Sequence, residues 1–360
     1  MKIGLYGLPT AGKTYILNAV NNIEALHGRD MLDQIAPDFS SLDDDGKDTA
    51  RKELASSLKQ KESFIMDGHY SFGDDVVFTE MDGQLYDVFL YLYVDPDILS
   101  QRMQDSIRNN KYLCYDIAKW QMQEIQGLRE YCHKNNKDFY VIDNPEKGCF
   151  YDISMVLSFI TSIIAGFSCV NFANKCADKI MQATSEKHIS LFDGDKTITT
   201  GDTSGMIGYR THLFDGNFYT GFQSWRHFNE FTELLRFLDD STPNFEDLKI
   251  EYNEFVTEKI NQSSFILTSG WAGTWEKIAK KFGVSFFNGN EMSAETKLFI
   301  VKKLQENGCN VVAYGDGMND YYMLKQADES YLISKPDGSI SRSLKGKDLE
   351  GISIVNGRTE

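Results

Sequence analysis

The chain has 360 residues, which is longer than most single hydrophobic cores and therefore predicts two domains of about 150–200 residues each. Its composition, with 41% hydrophobic, 13% aromatic and 25% charged residues, is that of a globular protein and excludes a disordered or fibrous chain. The formal net charge of -16 repels polyanions, which disfavours nucleic acid and anionic membranes as partners.

Cysteine usage and apolar runs predict a cytoplasmic protein. The six cysteines are scattered without a C-x-x-C pair, which predicts reduced thiols and neither a zinc knuckle nor a disulfide scaffold. Met1 and Lys2 lead directly into an apolar strand pattern, so no signal peptide is expected there. The longest apolar run, "MVLSFITSIIAGF" from Met155, is too short to span a bilayer and predicts a buried helix that closes the first domain.

The first half of the sequence alternates short apolar runs with helical patterns, which predicts a doubly wound α/β domain over residues 1–168. Continuous apolar runs are typical of parallel strands covered on both faces. Four such runs are "KIGLY", "SFIMD", "VFLYLYV" and "DFYVID". Between the first two, "KTYILNAVNNIEAL" predicts one amphipathic helix that ends at Gly28, with an apolar stripe of Ile16, Leu17, Val20, Ile23 and Leu26.

A second set of apolar runs predicts another doubly wound parallel-sheet domain over residues 188–360. These runs are "HISLF", "SFILT", "NVVAY", "SYLIS" and "ISIV". Residues 169–187, which contain "NFANKCADKIMQATSEK", are expected to form a helical connector between the two domains. The aromatic, helix-leaning stretch at about 201–260 follows the first strand of this set and predicts a helical cap over the second sheet.

The stretch "GLPTAGKT", residues 7–14, matches G-x-x-x-x-G-K-[ST] at every position. Gly7 and Gly12 allow the loop to curl so that its backbone N–H groups point inward at phosphate. Lys13 is expected to reach the terminal phosphates, and Thr14 to offer its hydroxyl to Mg²⁺. Because a strand pattern precedes the loop and an amphipathic helix follows it, the motif predicts a site for ATP rather than a chance glycine turn.

The surroundings of this loop resemble the nucleoside-monophosphate-kinase-like family, through "FIMDGHY" and "YVDPDILSQRMQDSIRNN". The resemblance implies that Asp67 lies near the metal and the acceptor, and that Arg102 and Arg108 lie on a lid over the phosphates. Such charges suit phosphoryl transfer, which depends on alignment and charge neutralisation; the alternative is that both arginines are solvated helix residues. His69 is either an acceptor contact or a turn histidine. We find no base-recognition signature, so the acceptor need not be a nucleotide.

Four further elements follow in the second half, at the ends of apolar runs or on a helix. They are Asp193-Gly-Asp195-Lys-Thr197 after "HISLF", Thr268 at the end of "FILT", Lys297 in "SAETKLFIVKKL", and Asp316 with Asp320 in "GDGMND". In this order they resemble the haloacid-dehalogenase (HAD) superfamily, and "GDGMND" is most similar to its phosphoserine-phosphatase-type members. The resemblance covers about residues 188–360 and implies a Rossmann-like core with the helical cap inserted.

The chemistry of these residues points to phosphate removal. An aspartate at the tip of a parallel strand can attack phosphorus, so Asp193 is expected to form an aspartyl-phosphate. Asp195 faces the same mouth and is expected to protonate the leaving oxygen and then to deprotonate water. An acid–base residue there fits phosphate-ester hydrolysis and argues against the dehalogenase branch. Thr268 and Lys297 are expected to hold phosphate oxygens and to offset developing charge.

A magnesium site is expected beside the nucleophile. Asp193, Asp316 and Asp320 supply carboxylates, and Asp195 supplies its backbone carbonyl, which are the oxygen ligands that Mg²⁺ prefers. The cation would reduce the repulsion between the carboxylates and a phosphate dianion.

The cap is expected to decide the substrate. Arg210, Trp225, Arg226 and His227 lie in this stretch and either contact the leaving group or form the core of the cap itself. A helical cap of this size encloses small molecules, whereas an uncapped site admits macromolecules. The predicted substrate is therefore a small phosphorylated metabolite.

Together these patterns predict a bifunctional enzyme with an ATP-dependent small-molecule kinase followed by a Mg²⁺-dependent phosphatase. One alternative is nucleic-acid end repair, since polynucleotide kinase-phosphatases join the same two domain types in the same order. The net charge of -16, the cap and the "GDGMND" element disfavour it. Another alternative is that the first domain senses nucleotide and regulates the phosphatase without transferring phosphate.

Overall fold

The computed structural model describes residues 1–143, 152–206, 217–237 and 248–356. The chain divides into two compact units, Met1–Phe167 and Ser168–Glu360, and each contains its own parallel sheet. The two parallel α/β folds expected from the apolar runs are therefore confirmed.

The described part of the first unit contains seven strands: β1 (Lys2–Tyr6), β2 (Ala25–Leu26), β3 (Phe64–Asp67), β4 (Ser71–Phe72), β5 (Asp75–Val76), β6 (Val88–Leu92) and β7 (Asp138–Ile142). Five of them form a parallel sheet in the order β2-β3-β1-β6-β7, and β4 pairs with β5 in a short antiparallel hairpin. The helices are α1 (Lys13–Ala19), α2 (Gly28–Ile35), α3 (Asp44–Leu58), α4 (Glu80–Leu85), α5 (Pro96–Gln104), α6 (Ile117–Lys134) and α7 (Ile153–Ile164).

Strand β1 lies at the centre of this sheet, and Ile3 and Leu5 are fully buried in it. Leu5 lies opposite Asp67 of β3 on one side and Leu90 of β6 on the other. Because parallel strands end at the same edge of a sheet, the loop after β1 and the side chain of Asp67 come to the same edge. This edge is where ligands bind in open α/β sheets.

The helix expected over residues 13–26 is wrong in its second half. Helix α1 ends at Ala19, and Val20 already has extended backbone (φ -70°, ψ 131°). Two asparagines follow, and their side chains favour turns over helix. Ala25 and Leu26 instead form strand β2 and pair with β3, so Leu26 is buried at the edge of the sheet and not on the helical stripe.

The described part of the second unit contains six strands: β8 (His188–Phe192), β9 (Ser264–Leu267), β10 (Ser285–Phe287), β11 (Asn310–Gly315), β12 (Glu329–Ser334) and β13 (Ser353–Asn356). All pair in parallel, in the order β10-β9-β8-β11-β12-β13. The helices are α8 (Cys169–Ala183), α9 (Thr203–Met206), α10 (Gly221–Phe237), α11 (Glu254–Thr257), α12 (Ala272–Phe282), α13 (Ala294–Glu306) and α14 (Tyr321–Gln326).

Strand β8 lies between β9 and β11, and Phe192 at its end is level with Ile266 and Tyr314. The residues that follow these three strands therefore meet at one edge of the sheet. Strand β10 was missed in the sequence because its three residues, "SFF", are too short to stand out as an apolar run.

Two segments of the second unit had been assigned from the sequence as a connector and a cap. Within 169–187, helix α8 buries Ala173, Cys176, Ala177 and Ile180 in the core of this unit. The cap region, 201–260, contains α9, α10 and α11 between β8 and β9. Residues 207–216 and 238–247 of this region lie outside the described residues, and with them Arg210.

The apolar run from Met155 forms helix α7, and Val156, Phe159, Ile160 and Ile163 are buried on it, as the sequence predicts. Among the described residues no single helix is long and apolar enough to cross a membrane, and α7 and α8 reach that length only when they are taken together.

Candidate active sites

The glycine-rich loop, residues 7–14, follows β1 directly. Gly7 and Gly12 have positive φ angles of 147° and 103°, which glycine tolerates and other residues rarely adopt. A side chain at Gly7 would lie 2.9 Å from the carbonyl of Leu92, so the loop also needs glycine there for close packing. Helix α1 starts at Lys13, and its N-terminal N–H groups face the loop.

Lys13 is buried, and its Nζ donates to the carbonyls of Gly7 and Leu8, the latter at 3.2 Å. Burial lowers the pKa of Lys13 to about 8, against the opposing effect of Asp67 and Glu124. The ammonium group of Lys13 therefore contacts the backbone of the loop that is expected to bind phosphate. Thr14, one residue further along, is exposed.

A cavity of about 960 Å³ adjoins the loop and brings most of the predicted residues of this unit together. Gly12, Lys13, Thr14, Asp67 and Arg108 line it. The carboxylate of Asp67 accepts a hydrogen bond from the backbone N–H of Gly28 at 2.7 Å, which fixes its direction at the end of β3.

Arg102 is not among the lining residues of the described cavity. Its guanidinium donates to the carbonyl of Thr10 at 3.2 Å, so it supports the glycine-rich loop from the side of α5. The predicted lid role for Arg102 stays a prediction, and the structure gives this arginine a contact with loop backbone.

His69 lines the same cavity and follows β3 at the edge of the sheet. Its Nδ1 is buried and has no hydrogen-bond partner among the described residues. Burial, together with the positive charges of Lys13 and Arg108, holds the pKa of His69 well below its usual value. The imidazole is therefore neutral at physiological pH.

Three further cations line the cavity and were missed in the sequence: Arg29, Arg51 and Lys111. Arg29 pairs with Asp33 at 3.3 Å, and Arg51 pairs with Asp48 at 2.8 Å. These residues lie on α2, on α3 and after α5, and nothing in their local sequence marks them. Only the tertiary fold brings them to one cavity.

In the second unit, Asp193 follows β8 and both of its carboxylate oxygens are held. Oδ1 accepts from the ammonium of Lys297 at 2.6 Å, and Oδ2 accepts from the hydroxyl of Thr197 at 3.2 Å. Only 8% of the residue surface of Asp193 is exposed. Thr197 belongs to the quoted motif but had been given no role, and its spacing from Asp193 was the available signal.

Lys297, on α13, has no exposed surface and bridges two carboxylates. Its Nζ donates to Asp193 and also to Asp320, at 2.7 Å. Burial lowers the pKa of this lysine, but the two neighbouring carboxylates outweigh burial and raise it above its usual value. Lys297 therefore stays charged and offsets negative charge at this edge of the sheet.

Asp193, Asp316 and Asp320 form a carboxylate cluster, in which one oxygen of each lies within 4.8 Å of the others. Burial, followed by the charge of Asp320, raises the pKa of Asp193 to about 7. Burial, followed by the charges of Asp320 and Asp193, raises the pKa of Asp316 well above its usual value. Three converging carboxylates, with the ionisation of Asp193 and Asp316 disfavoured, fit a hard cation such as Mg²⁺, which would bind their oxygens and relieve the repulsion.

Asp320 is fixed within this cluster by backbone. Its Oδ2 accepts from the N–H groups of Asp316 and Gly317 at 3.1 and 3.2 Å. Gly315 leaves room for it, because a side chain at Gly315 would lie 2.6 Å from the carboxyl carbon of Asp320. The "GDGMND" turn thus closes on its own aspartate.

The carboxylate of Asp195 points elsewhere. Its Oδ1 accepts from the backbone N–H of Thr203, the first residue of α9, at 2.6 Å. A side chain at Gly270 would lie 2.7 Å from its Oδ2, so the carboxylate rests against the turn after β9. Burial and the charge of Asp202 raise the pKa of Asp195 to about 6. Its predicted contribution to the metal is through backbone carbonyl.

Thr268 directly follows β9 and is buried beside the loop of residues 193–197. Its hydroxyl accepts from the N–H of Gly270 at 3.0 Å, and a side chain at Gly194 would lie 2.7 Å from it. The indole of Trp275, which the sequence did not single out, packs under both Gly194 and Gly270. The loop of residues 193–197 and the turn after Thr268 therefore pack on the same indole.

Of the cap residues singled out from the sequence, those that the structure describes are Trp225, Arg226 and His227. Trp225 is buried, and Arg226 pairs with Glu230 at 2.8 Å on the same helix. Burial lowers the pKa of His227 to about 4, so this histidine is neutral.

A scan against models of known protein families gives no match, and a search of curated proteins gives none either. Solved structures do match. Shikimate kinase from Acinetobacter baumannii, in complex with shikimate, is 16% identical over 45% of this chain and 93% of its own, with a TM-score of 0.32.

Two further structures match. A HAD-family hydrolase from Salmonella enterica serovar Typhi is 14% identical over 48% of this chain and 69% of its own, with a TM-score of 0.26. The catalytic domain of a CPx-ATPase is 28% identical over 29% of this chain and 37% of its own, with a TM-score of 0.20. The matches thus include a kinase and a HAD-family hydrolase. At these scores, the functional argument rests on the residues of the chain itself.

Proposed function

We propose that this chain is a bifunctional enzyme, with an ATP-dependent small-molecule kinase in residues 1–168 and a Mg²⁺-dependent phosphatase in residues 188–360. The main support for the phosphatase is the buried Lys297, whose ammonium group contacts both Asp193 and Asp320. The carboxylate of Asp316 lies close to both aspartates at the same edge of the sheet. A structural ion pair does not require three carboxylates and one lysine at a sheet edge, whereas phosphoryl transfer to an aspartate does.

The hydrolysis would proceed by two displacements at phosphorus. An oxygen of Asp193 attacks, the bond from phosphorus to the leaving oxygen breaks, and Asp195 gives that oxygen its proton. Water then attacks the aspartyl-phosphate while Asp195 takes its proton, which releases phosphate and regenerates Asp193. A pKa of about 6 allows Asp195 to serve in both directions near neutral pH. Bound Mg²⁺ would supply electrostatic stabilisation of the phosphate beside the carboxylate cluster.

The kinase reaction is supported by the loop and its cavity. The backbone of residues 7–14 and Lys13 would hold the phosphates of ATP, with Thr14 directed to Mg²⁺. Asp67 would orient an acceptor hydroxyl in the same cavity, where Arg108, Arg29 and Arg51 supply positive charge for the transferred phosphoryl group. A cavity of about 960 Å³ has room for a nucleotide and a small acceptor.

The phosphatase substrate is proposed to be a small phosphorylated metabolite. Helix α10 of the cap is anchored near the site, because Ser224 donates to the carbonyl of Met292 at 3.1 Å, just before α13. A helical cap held in this position favours a small leaving group over a macromolecule. The charge of -16 favours the same conclusion against nucleic acid.

The two activities can be tested with one pair of variants. Wild type, Asp193→Asn and Lys13→Ala are offered a library of sugars, nucleosides, amino acids and their phosphates, with Mg²⁺ and labelled ATP. We expect Asp193→Asn to lose phosphate release and keep transfer of label, and Lys13→Ala to show the reverse. Equal loss of both activities in both variants would contradict two independent sites.

Two further measurements separate the alternatives. Phosphatase rates that depend on ATP, with no labelled product from any acceptor, would favour the sensor function for the first domain. Binding of a 5′-hydroxyl oligonucleotide that weakens with added salt would favour nucleic-acid end repair.

A further inference from the structure

The second unit contains another cavity, of about 400 Å³, which shares no lining residue with the carboxylate cluster. One wall is the face of α12 that carries Thr274, Lys277, Ile278 and Lys281, and the other is the segment 248–252. The lining residues are Leu248, Lys249, Ile250, Tyr252, Thr274, Lys277, Ile278 and Lys281. Its volume falls in the range of small-molecule sites.

Positive charge dominates this cavity, in a chain whose net charge is -16. Three of its lining residues are lysines, and none of the lining residues in the described part of the chain is acidic. Lys281 is held at the cavity by Tyr252, since its Nζ lies 3.8 Å from the ring centroid. Three positive charges border one space, and an anion that carries at least two negative charges would be attracted to all three.

An orphaned hydroxyl in the wall also points to a ligand. Thr274 is only 2% exposed, and its Oγ1 has no hydrogen-bond partner in the described part of the chain. A buried hydroxyl without a partner costs free energy, which a ligand oxygen at the cavity would recover. Tyr252 and Ile278 offer apolar surface for the rest of such a molecule.

We propose that this space, named here the lysine cavity, is a second ligand site that binds a small phosphorylated metabolite. The phosphate would be recognised by Lys249, Lys277 and Lys281, and the hydroxyl of Thr274 would donate to a ligand oxygen.

Both walls of the lysine cavity are tied to catalytic loops. The segment 248–252 is hydrogen-bonded to the residues that follow Asp193. Thr200 N–H donates to the carbonyl of Glu251 at 3.0 Å, and Asn253 N–H donates to the carbonyl of Ile198 at 2.9 Å. On the other wall, Trp275 follows Thr274 and packs under Gly194. Occupation is therefore expected to change phosphatase turnover, a consequence that rests on the proposed phosphatase, whereas the binding itself does not.

Binding is tested with inorganic pyrophosphate by isothermal titration calorimetry. The titration uses full-length Lys13→Ala protein, so that the glycine-rich loop of residues 7–14 contributes little to pyrophosphate binding. It also contains EDTA, so that the carboxylate cluster holds no metal. Adding Lys281→Ala is expected to raise the Kd at least about tenfold, because one charge-assisted contact is lost. Lys280→Ala is the matched control, since it removes the same charge from the same helix outside the lining.

Thr274→Val gives a second measurement that does not depend on a lysine. It is expected to weaken pyrophosphate binding and to raise the melting temperature, because a hydroxyl without a partner is removed at nearly constant volume. No binding to the parent protein, or equal loss in Lys280→Ala and Lys281→Ala, would overturn the proposal.

The effect on turnover is measured separately, with hydrolysis of p-nitrophenyl phosphate in excess Mg²⁺. Pyrophosphate is expected to change the turnover number in wild type and in Lys280→Ala but not in Lys281→Ala. Binding without any change in turnover would refute the coupling. Failure of wild type to hydrolyse any phosphate ester would instead refute the phosphatase, and would leave the calorimetry to decide the site.

Discussion

Removing the charge of Asp193 is expected to stabilise the second unit when no metal is bound. The pKa of this carboxyl is raised from its ordinary value of 3.8 to about 7, first by burial and then by Asp320, although Lys297 opposes both. Since each tenfold change in an acid constant corresponds to about 1.4 kcal/mol, the charged form is disfavoured in the folded chain by about 4 kcal/mol. Asp193→Asn removes this penalty and keeps an oxygen that can accept from Lys297.

The sign of the pH dependence follows from the raised pKa. The folded state holds the proton of Asp193 more tightly than the unfolded state, so the penalty is absent below pH 4 and grows as the pH rises to about 7. In EDTA, Asp193→Asn should therefore exceed wild type in free energy of unfolding by up to about 4 kcal/mol at pH 8, and by little at pH 4. Added Mg²⁺ should narrow the gap at pH 8, because it stabilises the wild-type carboxylate cluster.

Chemical unfolding followed by tryptophan fluorescence is the assay. Three of the four tryptophans, at 225, 271 and 275, lie in the second unit, so the signal reports mainly on it. Asp178→Asn is the control, since Asp178 is exposed on α8. An Asp193→Asn protein that is equally stable or less stable than wild type at pH 8 in EDTA would refute this account of the cluster.

Three further changes test other parts of the structure. Lys297→Met should abolish phosphatase turnover and cost about 3–5 kcal/mol of stability, because it leaves Asp193 and Asp320 buried without their cation; activity assays and denaturant unfolding measure both. Gly270→Ala should lower the turnover number at least about tenfold, because its methyl group would overlap the Trp275 indole and crowd Asp195, and steady-state kinetics would show it. Glu124→Ala should destabilise the first unit by about 3 kcal/mol or more, because this buried carboxylate accepts three hydrogen bonds, two of them from Ser71; circular dichroism melting provides the check.

The parts of the sites that lie at strand ends were predictable from the sequence. Asp67, Asp193 and Asp316 each end or follow an apolar run, and parallel strands must bring such residues to one edge. The partners of Asp193 were also within reach, because Lys297 and Asp320 belong to motifs whose order is informative. The direction in which each side chain points could not be predicted from the sequence. For example, nothing in "DGDKT" shows that the carboxylate of Asp195 faces α9.

The features that were missed depend on contacts between distant segments. Arg29, Arg51 and Lys111 meet at one cavity only because α2, α3 and the segment after α5 surround the same sheet edge. The lysine cavity likewise joins α12 to the segment 248–252. In α1, the apolar spacing that suggested a longer helix was overridden by pairing of β2 with β3, which buries Leu26 by another route.

The proposed nucleophile can be tested most directly by isolating its covalent intermediate. Asp195→Asn protein is incubated with Mg²⁺ and p-nitrophenyl phosphate, quenched in acid and digested for mass spectrometry, because loss of the general base should slow hydrolysis of the aspartyl-phosphate. We expect the mass of one phosphoryl group on the peptide that contains Asp193, and none on it when Asp193 is also replaced by Asn. Phosphate release that continues in Asp193→Asn, or a phosphoryl group on another residue, would contradict the account.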